Sequence, residues 1–372
     1  SKNIKIKIYK EFSKDLESLW KDFEKKSDNY FFQTCKWQKY WFYQTCKYKK
    51  LSISIHVVIV EYDNEILFIL PMYINKFSYF KILMWSGFPY SDYNSPLIKK
   101  GLNINKYDFL IIWNCILANS NKSFNCINLN NQPELINNIQ NPFSKHLGSI
   151  STNSYSGIFL DDITEIKNIL SKSQKEQLKL KINRLSRKGN LTFNTAKNKK
   201  DKIKVIKFII KNKSSQYNKT RAWNLFDNNV YKKIFILSSL KLSTNSYIGY
   251  LSLDNRIIAA HSGYIYNKTC YYLFPAYDDN YEKYSPGKIL LNKLMEDCKI
   301  KKISYFDFTI GSEDYKKKWA NNKMNSSTVL KSINLIGFIY VLSAKLKIII
   351  GALNFKRNIF HSIYNKVKNN VG

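Results

Sequence analysis

Two linked stretches decide the fold: Ser285-Pro286-Gly287-Lys288-Ile289-Leu290-Leu291, and then Phe306-Asp307-Phe308-Thr309-Ile310-Gly311-Ser312-Glu313-Asp314-Tyr315-Lys316-Lys317-Lys318-Trp319. The Pro-Gly pair closes a polar, tyrosine-rich loop over 277–287, and the apolar spacing after it predicts a helix over 288–299. Phe306-Asp307-Phe308 alternates, so a strand over 303–309 puts both Phe on one face and Asp307 on the other. Upstream, 246–253, 256–266 and 269–276 read as strands, with a turn at Asp254-Asn255 between the first two. The order is therefore three strands, loop, helix, strand.

Outward from this core, a basic helical run over 167–188 carries Lys172, Lys175, Lys179, Lys181, Arg184, Arg187 and Lys188. Helices are predicted over 202–216 and 226–240. The first half reads as a strand (4–9), helices (12–26 and 35–47), strands (51–62, 66–74 and 80–85), a helix (106–119) and a strand (124–129). An Asn-, Ser- and Pro-rich stretch over 130–156 marks the domain boundary. Val60-Glu61-Tyr62-Asp63-Asn64-Glu65-Ile66 aligns with Leu251-Ser252-Leu253-Asp254-Asn255-Arg256-Ile257. In both places a helix pair precedes the turn and a third strand follows, which suggests two copies of one module. The expected domains are 1–150, 151–330 and a basic amphipathic helical tail over 331–372.

Composition sets the outer limits. The 372 residues are 44% hydrophobic and 15% aromatic, enough for a packed core and against whole-chain disorder. The formal net charge is +33, which points to nucleic acid, an anionic carrier or a membrane face. Only five of the 60 basic residues are Arg, and Asn, Ile, Tyr and Phe are abundant. AT-rich coding gives the same composition, whereas dedicated phosphate recognition favours the Arg fork. Cys35, Cys46, Cys115, Cys126, Cys270 and Cys298 form no CxxC pair, and His56, His146, His261 and His361 form no HxxxH or HExxH. Reduced thiols and no metal site are the expectation. No signal-peptide core opens the chain, and the apolar run 332–344 is shorter than the ~20 residues of a bilayer span. The expected location is cytoplasmic, at most peripheral to a membrane.

Residues 155–320 resemble the tandem GNAT-fold acyltransferases of polysaccharide and envelope biosynthesis, the cellulose-biosynthesis acetyltransferase-like group. The shared pattern is S-P-G-x-x-L-L, F-D-F and G-x-E-x-Y-K-x-x-W. The first segment is similar more loosely, through Leu70-Pro71 and Ser91-Asp92-Tyr93. The Fem peptidoglycan aminoacyl transferases are more distant relatives with the same doubled module. The resemblance implies an α/β (α+β) fold: two GNAT-like modules, each a mixed, mostly antiparallel sheet flanked by helices, plus the tail.

It also names candidate site residues. Ser285, Pro286, Gly287, Lys288 and Ile289 stand where GNAT enzymes hold the coenzyme A pyrophosphate on free helix N–H groups. Tyr284 and Ile289 replace the usual Gln/Arg and second Gly/Ala of that signature. A plain loop-to-helix junction is the other reading. Asp307 is either the group that orients or deprotonates an acceptor amine, or a carboxylate paired with a lysine or capping a turn. Lys316, in a KxxW resembling the Fem KxxF, is either a cation for the charged intermediate or part of a solvated run. His261 is a candidate base or a core histidine. Asp92 is a cleft carboxylate or a turn residue. Glu313, Tyr315, Trp319 and Tyr93 are candidate substrate contacts, and the Leu273–Ala276 amides would polarise the acyl carbonyl.

Three functions follow. The first is an N-acyltransferase moving an acyl group, most simply acetyl from acetyl-CoA, to an amine of a sugar nucleotide or other envelope precursor. The second keeps the fold with aminoacyl-tRNA as donor, and tRNA then joins an anionic membrane as a partner of the basic surface. The third is a non-catalytic RNA- or membrane-binding protein on the same scaffold. Acceptor and oligomeric state are open at this level.

Overall fold

The computed structural model describes residues 4–350 except 49–51, 88–89, 121–122, 165, 221–222, 243–244 and 312. The chain forms two compact units. One comprises 1–28, 49–152 and 326–372, and the other 29–48 and 153–325. The helix Cys35–Tyr48 thus belongs with the second unit, although it lies early in the chain.

In the second unit, strand Leu191–Thr195 pairs with Ser246–Leu253, which pairs with Arg256–Tyr266, which pairs with Thr269–Tyr277, all antiparallel. Helix Pro286–Ile300 then returns the chain to strand Tyr305–Ile310, parallel to Thr269–Tyr277. A parallel pair needs such a crossover. The Ile289, Leu290, Leu294 and Met295 face of the helix is buried against Phe306, Phe308, Ile258 and Trp319. On the sheet's other side, Phe31 stacks on Tyr264 with centroids 4.1 Å apart, and Phe32 meets Tyr271 edge-on.

The first unit repeats the plan. Strands Val57–Tyr62 and Glu65–Leu70 form a hairpin, and helix Lys106–Asn119 links Phe80–Trp85 to the parallel strand Cys126–Pro133. The aligned turns adopt one conformation: Asp63 and Asn64 have φ 48° and 65°, Asp254 and Asn255 have 46° and 66°. These are type I′ values, where Asn and Asp tolerate positive φ. Both hairpins also shift register at the aligned step, Val60/Glu61 and Leu251/Ser252. A shared bulge is stronger evidence of repetition than a shared dipeptide, because bulges are retained structural features.

Among the strands that escape the sequence reading, the longest are Leu191–Thr195, Ile150–Phe159 and Asn322–Ser332. The last two are rich in Ser, Asn and Thr, which resembles loop composition. Their ladders supply the order: Ile150–Phe159 pairs with Tyr305–Ile310 in the second unit, and Asn322–Ser332 with Cys126–Pro133 in the first. Within the expected linker 130–156 lie a two-stranded hairpin and the short helix Pro142–His146. Pro71, without an N–H, divides the expected strand 66–74 into Glu65–Leu70 and Met72–Phe77. The tail is helical over 335–350, and the rest of its expected span lies outside the described residues.

Candidate acyl-transfer site

The candidate site lies in the second unit, where strands Thr269–Tyr277 and Tyr305–Ile310 part. Their paired register covers only 269–271 against 305–307. Beyond it, Thr309 Oγ1 reaches the Tyr272 carbonyl at 3.5 Å. The ends of both strands, and the start of helix Pro286–Ile300, thus gather at one edge of the sheet.

At the first strand's end, Ser285 adopts a left-handed conformation (φ 53°, ψ 52°) as N-cap, with Pro286 opening the helix. Its carbonyl accepts the Lys288 N–H at 3.0 Å and the Ile289 N–H at 3.3 Å. Pro286 has no N–H. Among the described residues, Gly287 alone in this turn has an N–H with no assigned acceptor. Tyr277 walls the turn, and a Cβ added at Gly287 would sit 3.5 Å from its Cδ1, an ordinary contact. Lys288 is exposed and Ile289 is in the core.

At the other strand's end the backbone is bent. Asp307, 3% exposed, accepts the Thr309 N–H at 2.7 Å. Thr309 has φ +61°, an outlier for a β-branched residue that costs ~1–3 kcal/mol and is typical of functional sites. Gly311 follows at φ +140°. Ile310, between them, turns its carbonyl to the Lys316 Nζ at 2.8 Å. Lys316 is 4% exposed and also pairs with Glu313 at 2.9 Å. A Cβ on Gly311 would lie 2.1 Å from Glu313 Oε2 and 2.5 Å from Lys316 Nζ. Glycine there lets a buried ammonium lie against the chain.

Asp307 faces a tyrosine cluster. Burial above all, together with neighbouring groups that include Asp307, holds the Tyr30, Tyr271 and Tyr305 phenols above their ordinary range. Trp319 is packed in the core and Glu313 is exposed. The Tyr315 side chain lies outside the described residues. Asp92, half-buried, and Tyr93, fully buried, belong to the first unit.

His261 has no exposed surface, and burial lowers its pKa to about 3. Its Nε2 accepts the Leu273 N–H at 3.3 Å, and its ring stacks on Tyr272 at 4.6 Å. The cause is a bulge: register shifts between Ser262 and Tyr264, so Leu273 has no cross-strand partner in this ladder. A buried N–H needs an acceptor, and the imidazole supplies it. Such a ring is a core residue, and its expected service as a base has no geometric support. Of the expected carbonyl-polarising amides, Leu273 is engaged by His261 and Pro275 has no N–H.

Lys213 and Gln216 were missed. Helix Lys199–Thr220 buries Lys202, Val205, Ile206 and Ile209, and the same face continues to 213 and 216. Gln216 Nε2 donates to the Tyr277 carbonyl at 3.4 Å, and Lys219 pairs with Asp279 at 2.5 Å. Burial lowers the Lys213 pKa, opposed by Glu313 and reinforced by Lys316. Lys213 therefore lies within electrostatic reach of the Lys316–Glu313 pair at the bent strand end. An apolar stripe that turns polar in mid-helix was the available signal.

The matching family model is the acetyltransferase (GNAT) domain, over residues 172–317. Over that range the chain is similar to GNAT-fold acetyltransferase domains. The GNAT assignment fits the parting strands and the helix that starts between them. Among solved structures, FemX is similar at TM-score 0.57 and 12% identity, covering 85% of this chain and 96% of that one. L-PGS from Bacillus licheniformis is similar at 0.51 and 12%, covering 91% and 98%. The C-terminal domain of a putative lysylphosphatidylglycerol synthetase from Agrobacterium fabrum is similar at 0.50 and 13%, covering 78% and 88%. At these identities the likeness is one of fold, and it extends over both units. No curated sequence matches the chain.

Proposed function

We propose that this GNAT domain transfers an acyl group from acyl-CoA to an amine of a small envelope or polysaccharide precursor. The observation that carries the reading is the parting of strands 269–277 and 305–310 beside the helix start at Gly287. The Gly287 N–H and Lys288 would hold a phosphate of the donor, and the gap between the strands would take its arm. The acceptor nitrogen, once deprotonated, attacks the acyl carbonyl carbon, the carbon–sulfur bond breaks, and the leaving thiolate is protonated. Lys316, fixed by Ile310 and Glu313, supplies positive charge for the carbonyl oxygen as it becomes negative. Lys213, on the helix face that also brings Gln216 to the Tyr277 carbonyl, is in this reading the proton acceptor for the ammonium. In this reading Asp307 shapes the strand end and is a positioning residue.

Calorimetric titration with coenzyme A at near-physiological salt tests the donor. Micromolar binding is expected, retained in Gly287→Ala and lost in Gly287→Trp, which runs into Tyr277. Absence of binding would overturn acyl-CoA as donor.

One observation favours aminoacyl-tRNA instead: the first helical turn offers a single unassigned N–H, where a pyrophosphate is expected to take several. FemX-type and lysylphosphatidylglycerol-synthetase-type folds are consistent with aminoacyl transfer. tRNA binding that weakens steeply with salt would support this donor.

A further inference from the structure

The helix over 335–350 is fastened to the first unit along one side only. Val341 packs with Ile82, Cys126 and Leu330, joined by Tyr340, Ala344 and Ile348. Tyr340 OH accepts from Asn128 Nδ2 at 2.9 Å, and its ring meets Phe80 at 5.6 Å. Gly337 lies against the Asn125 carbonyl, which a Cβ would approach to 1.9 Å.

The opposite side is apolar and exposed. Leu335, Phe338, Ile339, Leu342, Leu346, Ile349 and Ile350 recur at helical spacing in one stripe, each at least half exposed. At about 100° per residue, Lys345 and Lys347 fall on either side of this stripe, between it and the docked face. Beside the helix, the hairpin ending in Phe80 exposes Phe77 and Tyr79, at 67% and 84%. Lys76 and Lys81, also exposed, flank that tip.

Charge says what covers the stripe. No Asp or Glu follows Asp314, while residues 331–372 hold six Lys and one Arg. A protein partner of mixed charge would not require so one-sided a composition. An apolar stripe bordered by lysines is the pattern of a helix lying in the headgroup region of a bilayer with anionic lipids. Among the described residues no helix is long and apolar enough to cross one.

We propose that the 335–350 helix, together with the Phe77–Tyr79 hairpin tip, docks the protein on an anionic lipid surface, with the apolar stripe at the acyl boundary and the lysines at the headgroups. This inference stands apart from the choice of acyl donor.

The test is co-sedimentation of the full chain with phosphatidylcholine vesicles, with and without about one third phosphatidylglycerol. Binding is expected to the anionic vesicles, at least tenfold weaker to neutral ones, and reduced by salt. Leu342→Glu with Leu346→Glu should abolish it, and Lys345→Glu with Lys347→Glu should weaken it about tenfold or more. These positions are exposed, so unchanged thermal melting is expected and controls for folding. Binding by the Leu342→Glu/Leu346→Glu variant equal to the parent, or failure of the parent to bind anionic vesicles, would overturn the proposal. So would a parent dimer that this variant turns into a monomer, since a second copy would then cover the stripe. Protection of a Leu342→Cys thiol from maleimide in the vesicle-free monomer would also overturn it, because residues 351–372 would then be the cover.

Discussion

The Lys316 ammonium donates to the Ile310 carbonyl at 2.8 Å, joining the short helix Asp314–Trp319 to the strand that ends just before it. The contact depends on a bent strand end. Asp307 fixes the Thr309 N–H, Thr309 takes positive φ, and Gly311 leaves room for Glu313 and Lys316. Most of the candidate chemistry follows from this relay.

Gly311→Ala should therefore act much like a change at Lys316 itself. The added methyl meets both charged side chains and a φ that L residues avoid. A stability loss of about 1–3 kcal/mol is expected, with kcat falling alongside. Lys316→Ala should lower kcat by about 10²–10³ with little change in KM, the size of one lost transition-state donor. Thermal melting and steady-state kinetics of the two variants read these effects. Full kcat in Lys316→Ala would remove the lysine from the reaction.

Asp307 separates its two readings by a single atom. Asn keeps an oxygen that accepts the Thr309 N–H but has no carboxylate to take a proton. A positioning residue predicts near-parental kcat in Asp307→Asn and a large loss in Asp307→Ala. A base predicts loss in both. The pH–rate profile of Asp307→Asn adds a second reading, since it should keep its shape if the aspartate only positions.

His261 should mark the acid limit of folding. Its folded pKa, about 3, lies below the ordinary value of 6.5. The unfolded chain therefore binds the extra proton between those values. The stability linked to this ring is complete above pH 6.5 and is lost as pH falls toward 3, at up to about 1.4 kcal/mol per pH unit. His56 shifts the same way, to about 4, by burial and then Lys10. Urea melts from pH 7 to 4 should show this slope, and His261→Asn should reduce it. No limb of the pH–rate profile should follow His261.

Much of the architecture was legible locally. Strands 80–85, 246–253 and 256–266 and helix 106–119 fall where alternation and helical spacing put them. The Asp63 and Asp254 turns announced a repeat that their dihedral angles and matching bulges bear out. The polar strands 150–159 and 322–332 were not legible, because their pairing compensates for Ser, Asn and Thr that a loop would carry equally well.

For the candidate site, the division follows from distance along the chain. Short-range pattern was enough for the Ser285–Ile289 helix start, for the placing of Asp307 opposite two phenylalanines, and for the Lys316 frame, because each is set by neighbours a few residues away. Tertiary contact alone brought Lys213 and Gln216, far upstream, to the parted strand ends, and placed His261 in the core as the acceptor of a stranded amide. It also left one face of the 335–350 helix uncovered. Periodicity shows that a helix has an apolar face, but which face meets the protein and which meets its surroundings is decided by packing against the rest of the fold.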